Sequence, residues 1–457
     1  MNRFVKVAIL GVLSVALCSC AVAKKYNPFK DNGPKATAAK GERIPVLAYD
    51  QTVKASDALA GVGYQLPDPE PIAAWPVPGG NLDQAVGNVQ AAPQFQVAWK
   101  RNIGVKSSRR FEITAPPVAV DGKIFTLDGE SSVTATNAKT GAREWRVNLK
   151  PRNKRDNEAF GGGLAVSEGK VFVTSGFRYV AAVDAASGKM LWRKMVGSPI
   201  HGAPTVADGR IYAVDVDNQI MAFDAGNGDQ VWSYQAIVEP ARILKASSPA
   251  VSGQQVIAPF SSGELVSLST ANGDVLWNNV LSKDTRTNAL SEIRDIPGRP
   301  TVYRGDVYAA SQSGVFGAVD IRTGNAKWQL PIASEDTPWP AGDVVFVVSK
   351  AGELVAVNRD NGQVYWISDL NKGRKTRKEG GFLGIETHRV TPIWTGPMLA
   401  GDRLIVTNAW GEAISVDAKS GKVLKTIRIG DPIFQAPIAY DGMLYLLTDK
   451  GDLVAIR

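Results

Sequence analysis

Short hydrophobic stretches with the two-residue period of a β-strand recur along most of the chain. Two of them are Lys123–Leu127 and Arg210–Val214, and each is followed by polar and turn-forming residues. The chain contains 45 glycines and 26 prolines, an abundance of turn formers that favours many short strands. The pattern predicts an all-β fold.

One sequence unit of about 46 residues recurs eight times along the chain. Each unit contains a turn glycine, at Gly122, Gly169, Gly209, Gly253, Gly305, Gly342, Gly401 and Gly442. A second glycine is followed four residues later by a tryptophan, at Trp145, Trp192, Trp232, Trp277, Trp328 and Trp366, with Lys425 as the exception. A repeat of this length is typical of the four-stranded blades of a β-propeller.

The last unit ends at Arg457, before it reaches its own tryptophan segment. An alternating stretch with a tryptophan in the required place, Phe95–Lys100, lies just ahead of the first unit. Pairing this stretch with the C-terminal strand would close the ring and remove two exposed sheet edges. The sequence therefore predicts an eight-bladed β-propeller over residues 94–457, with four-stranded antiparallel blades and an N-terminal strand that completes the C-terminal blade.

The repeated tryptophans and aspartates receive structural rather than catalytic interpretations. A tryptophan at one fixed position in each unit is expected to pack between neighbouring blades. Asp184, Asp224, Asp320 and Asp417 are replaced by asparagine or serine at the same position in other units. A general acid or base would not tolerate that exchange, so these side chains are expected to cap turns.

The N-terminus has the features of a bacterial export signal. Arg3 and Lys6 precede an apolar run that is too short for a membrane span. The run ends in Leu-Cys-Ser-Cys and resembles a lipobox, which predicts a signal peptide over residues 1–19 and acylation of Cys20. Acylation of Cys18, or an ordinary secretory signal without acylation, are the alternatives.

The resemblance to bacterial lipoproteins implies a location for the mature chain. Ala21 stands where an aspartate would signal retention in the inner membrane, so attachment to outer-membrane lipid at the periplasmic face is expected. Residues 20–93 are rich in proline and show no helical or strand periodicity. We expect an acylated, extended tether there, in which Val46–Tyr49 and Ile72–Trp75 are short apolar stretches able to dock on another surface.

The composition offers few of the residues that enzymes use. Both cysteines, Cys18 and Cys20, lie at the N-terminus, and the two histidines, His201 and His388, are far apart in the sequence. The remaining chain can form no disulfide, thiolate nucleophile or cysteine-ligated metal site, so we predict no catalytic residues, no cofactor and no metal. The formal net charge of +8 is spread over 457 residues, which gives no indication of nucleic-acid binding.

The G-x-x-x-W and V-x-x-G motifs of the units resemble the repeats of quinoprotein (PQQ-type) propellers. With the lipobox and a stand-alone ring of eight units, the chain resembles the BamB family of lipoproteins of the β-barrel assembly machinery. The resemblance implies a non-catalytic scaffold that binds the periplasmic POTRA domains of BamA and assists the folding and insertion of outer-membrane proteins. The unfolded chains of those proteins are further candidate partners.

The family resemblance also implies two loops for the contact with BamA. The first matches Ile243, Leu244 and Lys245, and an exposed apolar pair beside a cation would suit a small binding hot spot. The second matches Asp295, which retains only the first of two family acids. Lys245 replaces the usual arginine and loses any bidentate pairing with a carboxylate. The apolar pair could instead merely cover the edge of a blade.

Two other functions stay open at this stage. One is a PQQ-dependent dehydrogenase, although such enzymes typically add a vicinal cysteine pair and Ca²⁺ ligands. The other is a propeller that binds a different component of the cell envelope. Basic runs at Lys150–Arg155 and Lys372–Lys378 are either simply solvated or attracted to an anionic membrane face or an acidic partner.

Overall fold

Eight four-stranded antiparallel sheets form the ring of a β-propeller in this computed structural model. The predicted fold class and blade number are confirmed. The described residues belong to one compact unit, Thr52–Arg457. They are residues 53–151, 158–239, 243, 247–282, 293–379 and 388–457.

Each blade runs from an inner strand beside the central axis to an outer strand at the rim. Blades 1 to 4 consist of β2 (Val118–Val120), β3 (Lys123–Leu127), β4 (Ser132–Asn137) and β5 (Arg143–Asn148); β6 (Gly162–Ser167), β7 (Lys170–Ser175), β8 (Tyr179–Asp184) and β9 (Met190–Met195); β10 (Thr205–Ala207), β11 (Arg210–Val214), β12 (Gln219–Asp224) and β13 (Gln230–Gln235); and β14 (Ala250–Ser252), β15 (Gln255–Pro259), β16 (Glu264–Ser269) and β17 (Val275–Val280). Blades 5 to 8 consist of β18 (Thr301–Tyr303), β19 (Asp306–Ala310), β20 (Phe316–Asp320) and β21 (Ala326–Leu330); β22 (Trp339–Ala341), β23 (Val344–Val348), β24 (Glu353–Asn358) and β25 (Val364–Asp369); β28 (Trp394–Ala400), β29 (Arg403–Asn408), β30 (Glu412–Asp417) and β31 (Val423–Arg428); and β32 (Ile438–Tyr440), β33 (Met443–Leu447), β34 (Asp452–Ile456) and β1 (Val97–Asn102).

One blade-to-blade connection contains additional structure that the repeat analysis did not predict. Between blades 6 and 7 the chain forms an antiparallel hairpin of β26 (Arg377–Glu379) and β27 (His388–Val390). A 3-10 turn at Asp57–Leu59 is the one helical element among the described residues. In that part of the chain no helix is both long enough and apolar enough to cross a membrane.

The ring is closed by pairing of the two ends of the propeller, as the sequence predicts. Strand β1 runs antiparallel to β34, with Trp99 opposite Ala455. Beyond the strands, Gln96 and Arg457 exchange backbone hydrogen bonds at 3.0 and 2.9 Å. The N-terminal strand therefore occupies the rim position of blade 8 and covers the sheet edge of β34.

The repeated tryptophans pack between blades, as predicted. The indole of Trp145 in blade 1 lies against Gly188 of blade 2, so closely that a Cβ on that glycine would come within 2.6 Å of the ring. Gly188 also has a φ of +74°, a conformation that favours glycine. The indole N–H of Trp145 donates to the carbonyl of Ala185 at 3.1 Å. A rim strand that carries this tryptophan is thus attached to the turn of the following blade.

The exceptional Lys425 is explained by the ring closure. In blade 8 the rim strand comes from the start of the chain, so no turn connects it to β34. A tryptophan in blade 7 would have no turn glycine on which to pack, and Lys425 instead donates to the carbonyl of Gln94 at 3.0 Å. Trp99 fills the corresponding position of blade 8 and lies against Gly141 of blade 1.

The aspartates at the rim turns act as caps. Asp184 Oδ1 accepts the backbone N–H of Ser187 at 2.7 Å and its hydroxyl at 2.5 Å. These hydrogen bonds lower the pKa of the Asp184 carboxyl, the hydroxyl of Ser187 having the largest effect. Asp417 makes the same pair of contacts with Ser420. The side chains are thereby engaged in their own turns.

Residues 53–93 differ from the expected extended tether, because they pack on the ring. Trp75 and Val89 are buried, with 1% and 0% of their surface exposed, and both belong to the hydrophobic core of the last three blades. The stretch Ile72–Trp75 docks, whereas Val46–Tyr49 lies outside the described residues. The segment has no periodicity in sequence because it pairs with no single strand.

The docked segment instead crosses the inner edges of many blades. Trp75 and Ala119 of β2 exchange both backbone hydrogen bonds, at 2.6 and 2.8 Å. Three further carbonyls of the segment, those of Pro76, Leu82 and Asp83, accept the inner-strand N–H groups of Val166, Val251 and Val302. These N–H groups lie on free sheet edges, so the segment satisfies donors that would otherwise face the axial opening.

Candidate partner-docking site

Two of the four predicted partner-binding residues meet at the corner between blades 3, 4 and 5. The backbone N–H of Ile243 donates to Oδ2 of Asp295 at 2.5 Å. The carbonyl of Asp295 accepts the N–H of Gln312 at 2.8 Å. Leu244 and Lys245 lie outside the described residues, as does the predicted lipidation residue Cys20.

Asp295 is buried, with 4% of its surface exposed, and Ile243 is half-buried. The sequence had led us to expect an exposed Ile243 and an acid available to a partner. In the structure the carboxylate binds the backbone of the chain itself. Asp295 therefore holds the backbone at Ile243.

Ile243 and Asp295 also line a small open cavity between these blades. Its wall includes His201, Asp215 and Phe260. Asp215 Oδ1 accepts two backbone N–H groups of its own turn, both at 2.9 Å. The cavity thus combines apolar walls with carboxylates that hold the surrounding loops in place.

An exposed apolar pair beside this corner was missed by the sequence analysis. Ile237 and Val238 follow the rim strand of blade 3 and are 61% and 58% exposed. The N–H of Ile237 donates to Oε2 of Glu264 at 3.2 Å, and its carbonyl accepts Nδ2 of Asn218 at 2.5 Å. Glu264 and Asn218 are both buried. Two buried polar side chains therefore hold the backbone while the apolar side chains face solvent.

Other blades bury the apolar residue that follows the rim strand. The backbone N–H at this position donates to the preceding turn in blade 1 and in blade 3 alike, at 3.0 Å from Leu149 and 2.9 Å from Ala236. The side chain is large and buried at Leu149, Leu281, Leu370 and Ile429. Blade 3 has the small Ala236 there, followed by two exposed apolar residues. This local departure from the repeat is the sequence signal that would have identified the pair.

A second small cavity lies on the axis of the ring. Trp75 and Pro78 of the docked segment form part of its lining, together with Arg299, Glu335 and Asp336. Burial in the cavity wall lowers the pKa of Arg299 to about 10, against the opposing effect of Asp336. One guanidinium and two carboxylates line the cavity, and the carboxylate of Glu335 pairs with Lys350 at 3.5 Å. The described residues also contain no cluster of three or more His, Cys, Asp or Glu side chains that could hold a metal ion.

Solved structures share this architecture. The crystal structure of BamB from Moraxella catarrhalis matches 78% of this chain and 99% of its own, with a TM-score of 0.64 and 19% identity. Quinohemoprotein alcohol dehydrogenase from Comamonas testosteroni matches 84% of this chain and 80% of its own, with a TM-score of 0.63 and 15% identity. At these identities the likeness concerns the fold alone.

Sequence comparisons identify the family. An uncharacterized protein of Rickettsia conorii, RC0314, is 28% identical over 275 residues, which cover 60% of this chain and 66% of that protein, just under two thirds of its length. The outer membrane protein assembly factor BamB of Salmonella typhimurium is 28% identical over 363 residues, 78% of this chain and 88% of its own. The family model described as outer membrane protein assembly factor BamB matches residues 129–368 and 375–457. This chain therefore belongs to the BamB family.

Proposed function

We propose that this chain is a non-catalytic accessory of outer-membrane β-barrel assembly, docked on the POTRA domains of BamA. Support comes from the family membership and from relatives that carry the name of an assembly factor. The proposal places the chain at the periplasmic face of the outer membrane, anchored through acyl groups on Cys20.

The docking surface in this proposal is the connection between blades 3 and 4. It comprises Ile237, Val238 and Ile243, followed by Leu244 and Lys245. The observation that carries it is the fixed, exposed apolar pair Ile237–Val238. Exposed aliphatic side chains on a backbone that is already ordered lose little conformational freedom on binding.

Asp295 has a positioning role in this proposal. Its buried carboxylate binds the N–H of Ile243, and its loss would leave that donor unpaired and loosen the loop. We therefore expect Asp295→Ala to weaken docking indirectly, through a changed loop conformation.

Site-specific photocrosslinking in the periplasm tests the docking surface. A photoreactive residue at Val238 or Leu244 of the full chain should crosslink to BamA, and Val238→Asp should reduce the yield from Leu244 about tenfold or more, since a buried contact of this size is worth about 1.5–3 kcal/mol. Val423 is a matched control, because it is 52% exposed on the rim of blade 7. Equal crosslinking from Val423, or capture of unrelated proteins only, would contradict the proposal.

Metabolic labelling with palmitate tests the anchor separately. The wild-type chain and Cys18→Ala should incorporate label, whereas Cys20→Ala should not. Continued labelling of Cys20→Ala would overturn the assignment without affecting the docking surface.

A further inference from the structure

The hairpin between blades 6 and 7 carries a surface that the docking proposal does not use. It leaves the rim after β25 and returns to the inner strand β28. Within the described ranges, no other connection between blades contains a pair of strands. Its first half carries four cations within six residues, Lys372, Arg374, Lys375 and Arg377.

Two arginines fix this hairpin on blade 7. The Cζ of Arg374 lies 4.8 Å from the ring centroid of Trp394, and its Nη1 forms an ion pair with Glu412. The Cζ of Arg377 lies 4.3 Å from the ring centroid of Trp410. Cation–π contacts of this kind hold the backbone against the blade. The hairpin is therefore held in place on blade 7, and Lys372 and Lys375 are left exposed.

The exposed part of the hairpin combines charge with apolar surface. Lys372 and Lys375 are exposed, and neither forms an ion pair with another described residue. Ile393, which follows β27, is 61% exposed. Its carbonyl accepts the N–H of Ala409 at 2.9 Å, which places it beside Trp410. We define Lys372, Lys375, Ile393 and Trp410 as the hairpin surface.

We propose that the hairpin surface binds the headgroup region of an anionic phospholipid bilayer. Lysine and arginine attract anionic headgroups, while aliphatic and tryptophan side chains enter the boundary with the acyl chains. The bilayer accounts for both features. An acidic protein surface is the alternative partner, and the test below separates the two.

A comparison with the other basic run supports this assignment. The Lys150 ammonium lies 4.4 Å from the ring centroid of Phe111 and 3.9 Å from Glu130. That cation is engaged within the protein, whereas Lys372 and Lys375 are available. In addition, the docked N-terminal segment reaches the ring at blade 6, where the N–H of Ser56 donates to the carbonyl of Val364 at 2.8 Å. The chain that leads towards the proposed acyl anchor thus meets the blade that precedes the hairpin.

Vesicle co-sedimentation tests the proposal. The chain from residue 20 onward, with Cys20→Ser to prevent acylation, would be mixed with phosphatidylcholine vesicles with and without phosphatidylglycerol. We expect binding to the phosphatidylglycerol vesicles and its loss at high salt. The double variant K372Q/K375Q should bind about 30-fold more weakly, on the order of tenfold or less for each lysine near the surface.

Two further variants separate the contributions. K419Q/K422Q removes the same charge from exposed lysines at a rim turn of blade 7 and should leave vesicle binding unchanged. Ile393→Ser should weaken binding about five- to tenfold while keeping the salt dependence, since it removes no charge.

The outcomes that overturn the proposal are distinct. Equal sedimentation with both kinds of vesicle, or equal losses in K419Q/K422Q and K372Q/K375Q, would show that the hairpin does not recognise anionic lipid. Loss of BamA binding in K372Q/K375Q with unchanged vesicle binding would assign the hairpin to an acidic protein partner instead. Val238→Asp should retain full vesicle binding, so failure of the docking proposal is separable from failure of this one.

Discussion

The contacts between blades stabilise the ring by repeating one arrangement, whereas the docked N-terminal segment stabilises it through contacts that differ from blade to blade. Between blades, one contact is repeated: a rim tryptophan lies on the turn glycine of the next blade, as in Trp145 on Gly188 and Trp277 on Gly324. The docked segment makes a different contact with each blade. Its side chain Gln84 donates to the carbonyl of Pro249 at 3.3 Å, whereas its carbonyl at Gly87 accepts the indole N–H of Trp339 at 2.7 Å.

The difference explains what can be read from a sequence. A contact that is used once per blade requires the same residue at the same place in every unit, so it appears as a repeat. A segment that makes different contacts with different blades repeats nothing, although residues such as Trp75 and Val89 are as buried as the core. The two regions also predict different responses to mutation.

Removal of a repeated contact should have the largest effect. Trp277 is 6% exposed and donates to the carbonyl of Ile321 at 2.7 Å. Trp277→Ala should lower the free energy of unfolding by about 3–5 kcal/mol, because it leaves a cavity between blades 4 and 5. Urea denaturation measures the change. The control Val275→Ala, at a 47% exposed position of the same strand, should stay within about 0.5 kcal/mol.

Removal of the central anchor of the docked segment should act locally. Trp75→Ala should destabilise docking of the segment by about 3 kcal/mol and leave the ring folded. Hydrogen exchange should then accelerate at the amides of Val166, Val251 and Val302, whose acceptors lie in the segment. The amide of Phe125, in the middle of blade 1, should keep its protection. Uniform loss of protection across the ring would show that the two regions unfold together.

A smaller effect is expected where the segment replaces a repeated contact. The indole N–H of Trp366 donates to the hydroxyl of Tyr64 at 2.9 Å, and that hydroxyl donates to the carbonyl of Ala418. Tyr64→Phe leaves a buried donor and a buried acceptor unpaired, which should lower the free energy of unfolding by about 2 kcal/mol. Chemical denaturation followed by tryptophan fluorescence measures it. The aromatic ring of Tyr365 lies beside that of Tyr64, with 4.6 Å between the ring centroids. Tyr365→Phe should lower the free energy of unfolding less, because Tyr365 is only half-buried.

The smallest effect should come from the ion pairs at the ring closure. Asp431 pairs with Lys100 of β1 and, at 2.5 Å, with Lys450. The hydrogen bond from Lys100, followed by that from Lys450, lowers the pKa of the Asp431 carboxyl. A depressed carboxyl pKa stabilises the fold above the unfolded-state pKa of about 3.9, and this stabilisation is lost as the pH falls through the folded-state pKa.

Asp431→Asn should therefore lower the free energy of unfolding at pH 7 by about 1 kcal/mol or less. The difference from the wild-type chain should shrink as the pH falls below about 4. Urea denaturation across this pH range measures both values. A difference that is independent of pH would mean that the carboxylate charge has no part in the closure.

The ring, its blade number and its closure were predictable because each rests on a repeated or complementary pattern. Even the exceptional Lys425 follows from the position of the chain ends. The docked segment was predicted as a tether because its buried residues, such as Trp75 and Val89, face many different strands and show no period. The hairpin β26–β27 was not predicted, because it occurs in one connection only among those described.

In the candidate site, too, only part of the arrangement was predictable from the sequence. The approach of Asp295 to Ile243 depends on two loops that are remote in sequence, so the family resemblance identified the residues but not the direction of the carboxylate. Ile237 and Val238 were not predicted, because their exposure depends on Asn218 and Glu264, which bind the backbone of Ile237 from two other turns. Exposure of an apolar residue at the end of a strand is set by such distant partners, and no local pattern reports it.

The pairing of β1 with β34, extended by the hydrogen bonds between Gln96 and Arg457, imposes an order on the folding of this protein. Strand β1 lacks its partner until β34 has been synthesised, and the docked segment lacks its full set of inner edges until every blade is present. The strand that is made before all the blades must therefore wait for a strand of the last blade. A chain without β34 would leave β1 unpaired and an inner sheet edge of blade 8 exposed, which invites aggregation.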